Sequence, residues 1–100
     1  MSAPGGPRKR LRWTLRAARD LLFIERYYAD FSQGAANRVA AAILAAVLYL
    51  EEFPRIGVRG RREGTRHRIV TGYPYTIVYR LRRTEVQILR VLHQSRRYFN

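Results

Sequence analysis

An α+β domain in the order β-α-α-β-β-β, with a helical hairpin packed on an antiparallel sheet, is the fold class this sequence predicts. Two changes of pattern carry the prediction: apolar residues recur at helical spacing in the first half of the chain and at period two in the second. Size is the third observation, because 100 residues of which 47% are hydrophobic and 12% aromatic can bury one core and leave no material for a second.

Residues Met1 to Pro7 are small, rich in Pro and Gly and without pattern, so residues 1–7 read as a flexible N-terminal arm before a single domain spanning 8–100. From Arg8 to Leu15 the apolar Leu11, Trp13 and Leu15 alternate with Arg10, Arg12 and Thr14, the pattern of a short strand with one buried face. The Thr14 hydroxyl can cap a helix, and Leu21, Ile24, Tyr28 and Phe31 follow at helical spacing until "SQG" breaks the run. A second helix from about Ala35 to Glu52 carries Val39, Ile43, Ala46, Leu50 and Phe53 on one stripe, and Pro54 stops it. The short connection between the helices predicts an antiparallel hairpin. A basic loop with two glycines, "PRIGVRGRRE", comes next. Three antiparallel strands then follow in "RHRIVT", "YTIVYRLR" and "EVQILRVLH", joined by tight turns at "GYP" and "RT".

Charge bounds the partners. The chain has 20 Lys+Arg against 7 Asp+Glu, a formal net charge of +13, which calls for a polyanion or an acidic protein. Every basic residue except Lys9 is arginine, whose planar fork pairs bidentately with phosphate or carboxylate. Most of them lie in residues 55–100 beside only Glu63 and Glu85, so the second half is expected to build the functional surface. The absence of cysteine excludes disulfides and a thiolate metal site. His67 and His93 are not in a ligand-spaced pair, so neither a metal nor another cofactor is expected. The start has no apolar h-region, and the apolar run from Val39 to Leu50 is shorter than a bilayer span requires. A soluble cytoplasmic protein with no membrane partner is the resulting expectation.

The tail "RVLHQSRRYF" concentrates the residue types of phosphodiester chemistry. A metal-free ribonuclease acting through the 2′-hydroxyl needs a general base, a cation beside the phosphate and an acid for the leaving oxygen. His93 could serve as acid or base, Tyr98 as acid or stacking ring, and Arg66, Arg68, Arg80 or Arg90 as phosphate clamps. Alternation puts Arg66 with Arg68 on one strand face and Arg80 with Arg82 on another, making a convergent basic patch feasible. The bland readings are equally concrete. A strand-end histidine commonly hydrogen-bonds a neighbour, and tyrosines such as Tyr73, Tyr75 and Tyr79 commonly pack their rings.

Five segments in order resemble the RelE/ParE superfamily of type II toxin-antitoxin toxins, and more closely its ParE-like branch: "AARDL" from Ala17, "LEEFPRIG" from Leu50, "EGTRHRIV" from Glu63, "YPYTIVYRL" from Tyr73 and "VQILRVLHQSRRY" from Val86. The resemblance implies a growth-inhibiting toxin held in a hetero-oligomer by a cognate acidic antitoxin. In the ParE-like form the target is DNA gyrase, poisoned by protein contact, and Arg66, Arg90, His93, Arg96, Arg97 and Tyr98 are the candidate target-binding residues. In the RelE-like form the toxin cleaves mRNA on the ribosome, with His93, Tyr98, Arg68 and Arg80 as the candidate catalytic set. Whether the protein is an enzyme depends on which form holds. A third form is an inactive relative that binds only an antitoxin or nucleic acid. Leu22, Phe23, Tyr27 and Tyr49 are the candidate antitoxin contacts. The tail favours the ParE-like pattern, because His93 is followed by Gln94 and Ser95 rather than by tyrosine, and past Lys9 at the start of the domain the chain contains no lysine.

Overall fold

The computed structural model describes residues 8–95, so the arm at 1–7 lies outside the described residues. The elements are β1 (Arg10–Trp13), α1 (Leu15–Ala29), α2 (Gln33–Leu48) with a 3-10 turn at Tyr49–Glu51, β2 (Val58–Arg59), β3 (Thr65–Ile69), β4 (Tyr75–Leu81) and β5 (Glu85–His93). They form one five-stranded sheet in the order β1-β5-β4-β3-β2 with the helical hairpin on one face.

The α+β architecture and the hairpin match the expectation, and two details differ. β1 pairs with β5 in parallel, Leu11 opposite Val86 and Trp13 opposite Ile88, so the sheet is mixed at that edge. The chain leaves β1 through both helices before the hairpin strands begin, and such a long crossover permits parallel pairing. The basic loop contributes the additional two-residue strand β2, where Val58 and Arg59 lie opposite His67 and Arg66.

Helix boundaries follow their caps. Thr14 accepts a hydrogen bond from the Ala17 N–H at 3.1 Å, starting α1 where expected. Ser32 accepts from the Ala35 N–H at 2.9 Å, so α2 begins at Gln33 and "SQG" holds a cap rather than only a break. Phe31 falls past the end of α1 and is 70% exposed, outside the core to which its spacing assigned it. Phe53, beyond the last helical turn, instead stacks on Tyr49 at 4.7 Å.

The apolar helical stretch Gln33–Glu51 is 19 residues long with mean hydropathy 1.3, longer than the run counted from sequence and sufficient by length and composition for a membrane span. Core packing accounts for it: Val39, Ile43, Ala46, Val47 and Leu50 lie under the sheet with Ala17, Ile24, Ile77, Tyr79, Val86, Ile88 and Val91.

Past Trp13 the edge of β5 loses its partner, and α1 covers it. Thr14 donates its hydroxyl to the Ile88 and Leu89 carbonyls at 2.9 and 3.1 Å. Asp20 accepts the Val91 N–H at 2.9 Å and binds Arg90 through Nε at 2.8 Å and Nη2 at 3.1 Å. Edge groups that would otherwise be left without partners are thus satisfied. At the far side of the sheet, the Tyr79 hydroxyl accepts from the Gly57 N–H at 2.9 Å and donates to the Pro54 carbonyl at 2.8 Å, anchoring the loop after α2.

Candidate functional site

A bulge in β5 decides which side chains share a face. Val78 lies opposite Arg90 and Tyr79 opposite Ile88, so Leu89 is the extra residue. Strict alternation would put Ile88, Arg90 and Leu92 together. The bulge instead puts Ile88, Val91 and His93 on the helix side, and Arg90 and Leu92 on the other.

His93 consequently stands opposite Tyr75, with the rings edge to face at 5.5 Å. Its Nδ1 accepts the Ser95 N–H at 3.1 Å and lies 2.8 Å from the Ser95 hydroxyl, so the neutral ring carries its proton on Nε2. Phe23, Tyr27 and Tyr28 of α1 face it across a groove of about 570 Å³ that also reaches Asp20, Pro74, Tyr75 and Arg90. Tyr28 links the two walls through edge contacts to Tyr73 at 6.0 Å and Tyr75 at 6.3 Å. Burial, then contact with Tyr28, pushes the Tyr75 hydroxyl far above its ordinary pKa, so it remains a neutral polar group at the groove floor. Phe23 is 72% and Tyr27 56% exposed, a large apolar surface for a chain this small.

The other sequence candidates are distributed widely. Arg68 lies opposite the core residue Ile77, on the helix face, and its guanidinium sits 4.7 Å over the Tyr49 ring. Arg80 lies opposite Thr65 and Gln87 on the reverse face. The basic patch that alternation made feasible does not join Arg66 and Arg68 to Arg80, because they occupy opposite sheet faces. Arg80 is also about 17 Å from His93 along β4, five residues at the strand repeat. Arg66 binds the Gly57 carbonyl at 2.8 Å and holds the loop after α2. Arg90 is held by Asp20, whose hydrogen bonds keep its guanidinium pKa above the ordinary value. Leu22 is exposed beside Phe23, whereas Tyr49 stacks on Phe53 and does not line the groove. Arg96, Arg97 and Tyr98 lie outside the described residues.

Sequence reasoning missed Asp20, which ties α1 to β5, and Tyr28, which joins the groove walls. It also missed Arg61 and Arg62, which share a concavity with Arg80 on the reverse face. The available signal for Asp20 was weak, because α1 carries a second carboxylate, Glu25, among Arg16, Arg19 and Arg26. Among the described residues no cluster of three His, Asp or Glu side chains could hold a metal ion.

Comparison with known proteins places this geometry. The family described as the ParE toxin of the type II toxin-antitoxin system parDE matches residues 11–98. The putative toxin Y4kP of Sinorhizobium fredii is 44% identical over 91 residues, covering 91% of this chain and 94% of that protein. Toxin RelE2 of Caulobacter vibrioides is 38% identical over 85 residues, covering 84% of this chain and 93% of that protein. A chain of the chromosomal ParDE system from P. aeruginosa superposes with a TM-score of 0.75 at 27% identity, covering 85% of this chain and 95% of that one. The chain belongs to the ParE toxin family of type II toxin-antitoxin systems, within the RelE/ParE superfamily.

Proposed function

We propose that this toxin inhibits DNA gyrase by protein contact, makes and breaks no bond of its own, and is neutralised in the cytoplasm by a cognate acidic antitoxin. The observation that carries the reading is the placement of His93: the β5 bulge puts it in an aromatic groove, on the opposite sheet face from Arg80 and about 17 Å along the strands from it. A ribonuclease of the RelE-like type needs its acid, base and phosphate clamp around one phosphodiester, and proton transfer requires hydrogen-bond reach. Among the described residues, the separation of His93 from Arg80 supports contact over catalysis.

The groove has the makings of a protein interface instead. Phe23 and Tyr27 offer rigid aromatic area, and His93 and Arg90 add polar groups at the rim. It also brings together residues that sequence assigned to two partners, Phe23 and Tyr27 to the antitoxin and Arg90 and His93 to the target. One groove shared by both partners makes neutralisation a matter of occupancy: a bound antitoxin segment excludes the gyrase surface.

The deciding experiment runs a gyrase supercoiling assay beside a translation-coupled mRNA cleavage assay. Inhibition of supercoiling without cleavage is expected. Cleavage of ribosome-bound mRNA with gyrase unaffected refutes the proposal.

A further inference from the structure

Core packing uses one face of α2 and leaves the opposite face without a partner. The stretch Gln33–Glu51 has mean hydropathy 1.3, yet only 39% of an 18-residue span within it is buried. Ala36, Val39, Ala40, Ile43, Ala46 and Val47 turn inward. Ala41, Leu44, Ala45 and Leu48 turn outward, with Leu44 47% and Leu48 58% exposed. Single exposed leucines are ordinary, whereas a contiguous apolar strip along a whole helix marks a contact surface.

The outward residues follow the spacing of a helix-to-helix seam. Gly34, Asn37, Ala41, Leu44, Leu48 and Glu51 are separated by three and four residues in alternation, the repeat that keeps one edge of a helix against another. This order is self-complementary when reversed. Laid antiparallel across a two-fold axis, Ala41 meets Leu44, a small side chain against a large one, and Asn37 meets Leu48. The Asn37 amide oxygen is already occupied, accepting from Gln33 Nε2 at 2.8 Å. At the ends Gly34 meets Glu51, and Arg38 reaches the same place. A Cβ on Gly34 would stand 3.2 Å from Arg38 Nη1, so the guanidinium folds back over the glycine. Each Arg38 is thereby set beside the Glu51 of a second copy, twice per pair. Within one chain, none of Arg38, Glu51 and Glu52 has a salt-bridge partner among the described residues.

We propose that the outer face of α2 is a homodimer interface, occupied by α2 of a second copy of this chain running antiparallel. Charge selects this occupant. At +13, two copies repel over most of their surface, and between Gln33 and Leu50 the only charged side chain is Arg38. The seam is therefore where two copies approach with least repulsion, and pairing of Arg38 with Glu51 adds attraction at both ends. An acidic antitoxin finds its complement on the arginine-rich surfaces, since this strip offers one cation per copy and carboxylates at its end. Lipid does not suit as surroundings, because the inner face of the same helix is committed to the core. A 16-residue helix is about 24 Å long and supplies less than the roughly 800 Å² per partner of a standard interface, so a dissociation constant of about 10–100 μM is expected. The described lining of the aromatic groove includes no α2 residue, so the dimer leaves that lining free and the inference does not rest on the gyrase reading.

The test is sedimentation equilibrium of the full-length toxin from about 5 to about 500 μM in about 0.3 M salt, where the Debye length falls below about 8 Å and general repulsion is screened. Wild type is expected to pass from monomer to dimer across that range. Leu44→Glu, at an exposed position, is expected to weaken the dimer at least about 30-fold while leaving the melting curve unchanged. Arg38→Glu and Glu51→Arg should each weaken it about 5-fold or more, and the two together should restore it, which a loss of fold cannot do. A wild type that is monomeric at every concentration overturns the proposal. So does a dimer indifferent to Leu44→Glu, or a double charge reversal no tighter than either single one. Addition of the cognate antitoxin supplies the remaining outcome. If Leu44→Glu weakens the antitoxin complex by about 10-fold or more while the toxin alone stays monomeric, the face belongs to the antitoxin and the proposal fails.

Discussion

Removing the Asp20 carboxylate should cost more than any other single change of a polar side chain in the hairpin-to-sheet contact, and the structure fixes the magnitude. Three hydrogen bonds converge on it, from Arg90 Nε at 2.8 Å, Arg90 Nη2 at 3.1 Å and the Val91 N–H at 2.9 Å. A fully buried pair broken from one side costs about 3–5 kcal/mol. Here the side chains are 26% and 18% exposed, and solvent screening reduces the figure to about 2–3 kcal/mol. Asp20→Asn removes the charge but retains a carbonyl oxygen for the Val91 N–H, so it should cost about 1–2 kcal/mol. At about 4–8 °C per kcal/mol for a domain of this size, Asp20→Ala lowers the melting temperature by roughly 10–20 °C. Urea melts followed by circular dichroism, with Arg90→Ala completing a double-mutant cycle, measure both the total and the coupling. A loss below about 0.5 kcal/mol for Asp20→Ala, typical of an unremarkable surface change, refutes the reasoning. Equal losses for Asn and Ala would show that the strand-edge N–H contributes nothing.

Three further outcomes are expected. Tyr79→Phe leaves the Gly57 N–H and the Pro54 carbonyl without their partner and should cost about 2–3 kcal/mol in a chemical melt; a neutral result contradicts the anchoring role. Burial lowers the His67 pKa below its ordinary 6.5, so the stability His67 contributes is complete above that value and is lost as pH falls through the lowered folded-state value. The neighbouring Arg61, Arg62 and Arg80 stay charged throughout that window, so wild-type stability should fall more steeply below pH 6.5 than that of His67→Gln, and parallel profiles would count against it. Phe23→Ala with Tyr27→Ala should change folding stability by less than about 0.5 kcal/mol per exposed site yet weaken the cognate antitoxin complex by at least about 30-fold, as calorimetry would measure. Unchanged antitoxin affinity would remove the groove from the interface.

The legible parts of the fold were those encoded locally. Thr14 reads as a helix cap because a hydroxyl there reaches the N–H three residues on, whereas Ser32 meets the same requirement inside "SQG", which reads from sequence only as a break. The three C-terminal strands showed themselves by alternation. Pairing direction is a different matter: nothing local to "RLRW" says that it will lie parallel to β5, since that follows from the crossover through the helices. β2 is two residues long, too short for any period to register. Phe31 continued a helical spacing past the point where the helix stops. At the site, residue types were readable and their faces were not. Arg66 and Arg68 looked like ligands for phosphate, and the structure gives the first two loop carbonyls and the second a tyrosine ring.

One inserted residue separates the two surfaces of this protein. With regular pleating, His93 would sit on the same face as Gln87, Leu89 and Val91, and the core set Val86 and Ile88 would continue into Arg90 and Leu92. That register buries an arginine toward the helices and turns Val91 outward, so it is unfavourable on both counts. Placing Leu89 in a bulge lets Val86, Ile88 and Val91 all face the core, sends Arg90 to the edge where Asp20 meets it, and turns His93 toward Tyr75. Packing demand therefore fixes the address of His93. In this chain the break at Leu89 turns His93 toward the aromatic groove and leaves Arg90 and Leu92 on the reverse face.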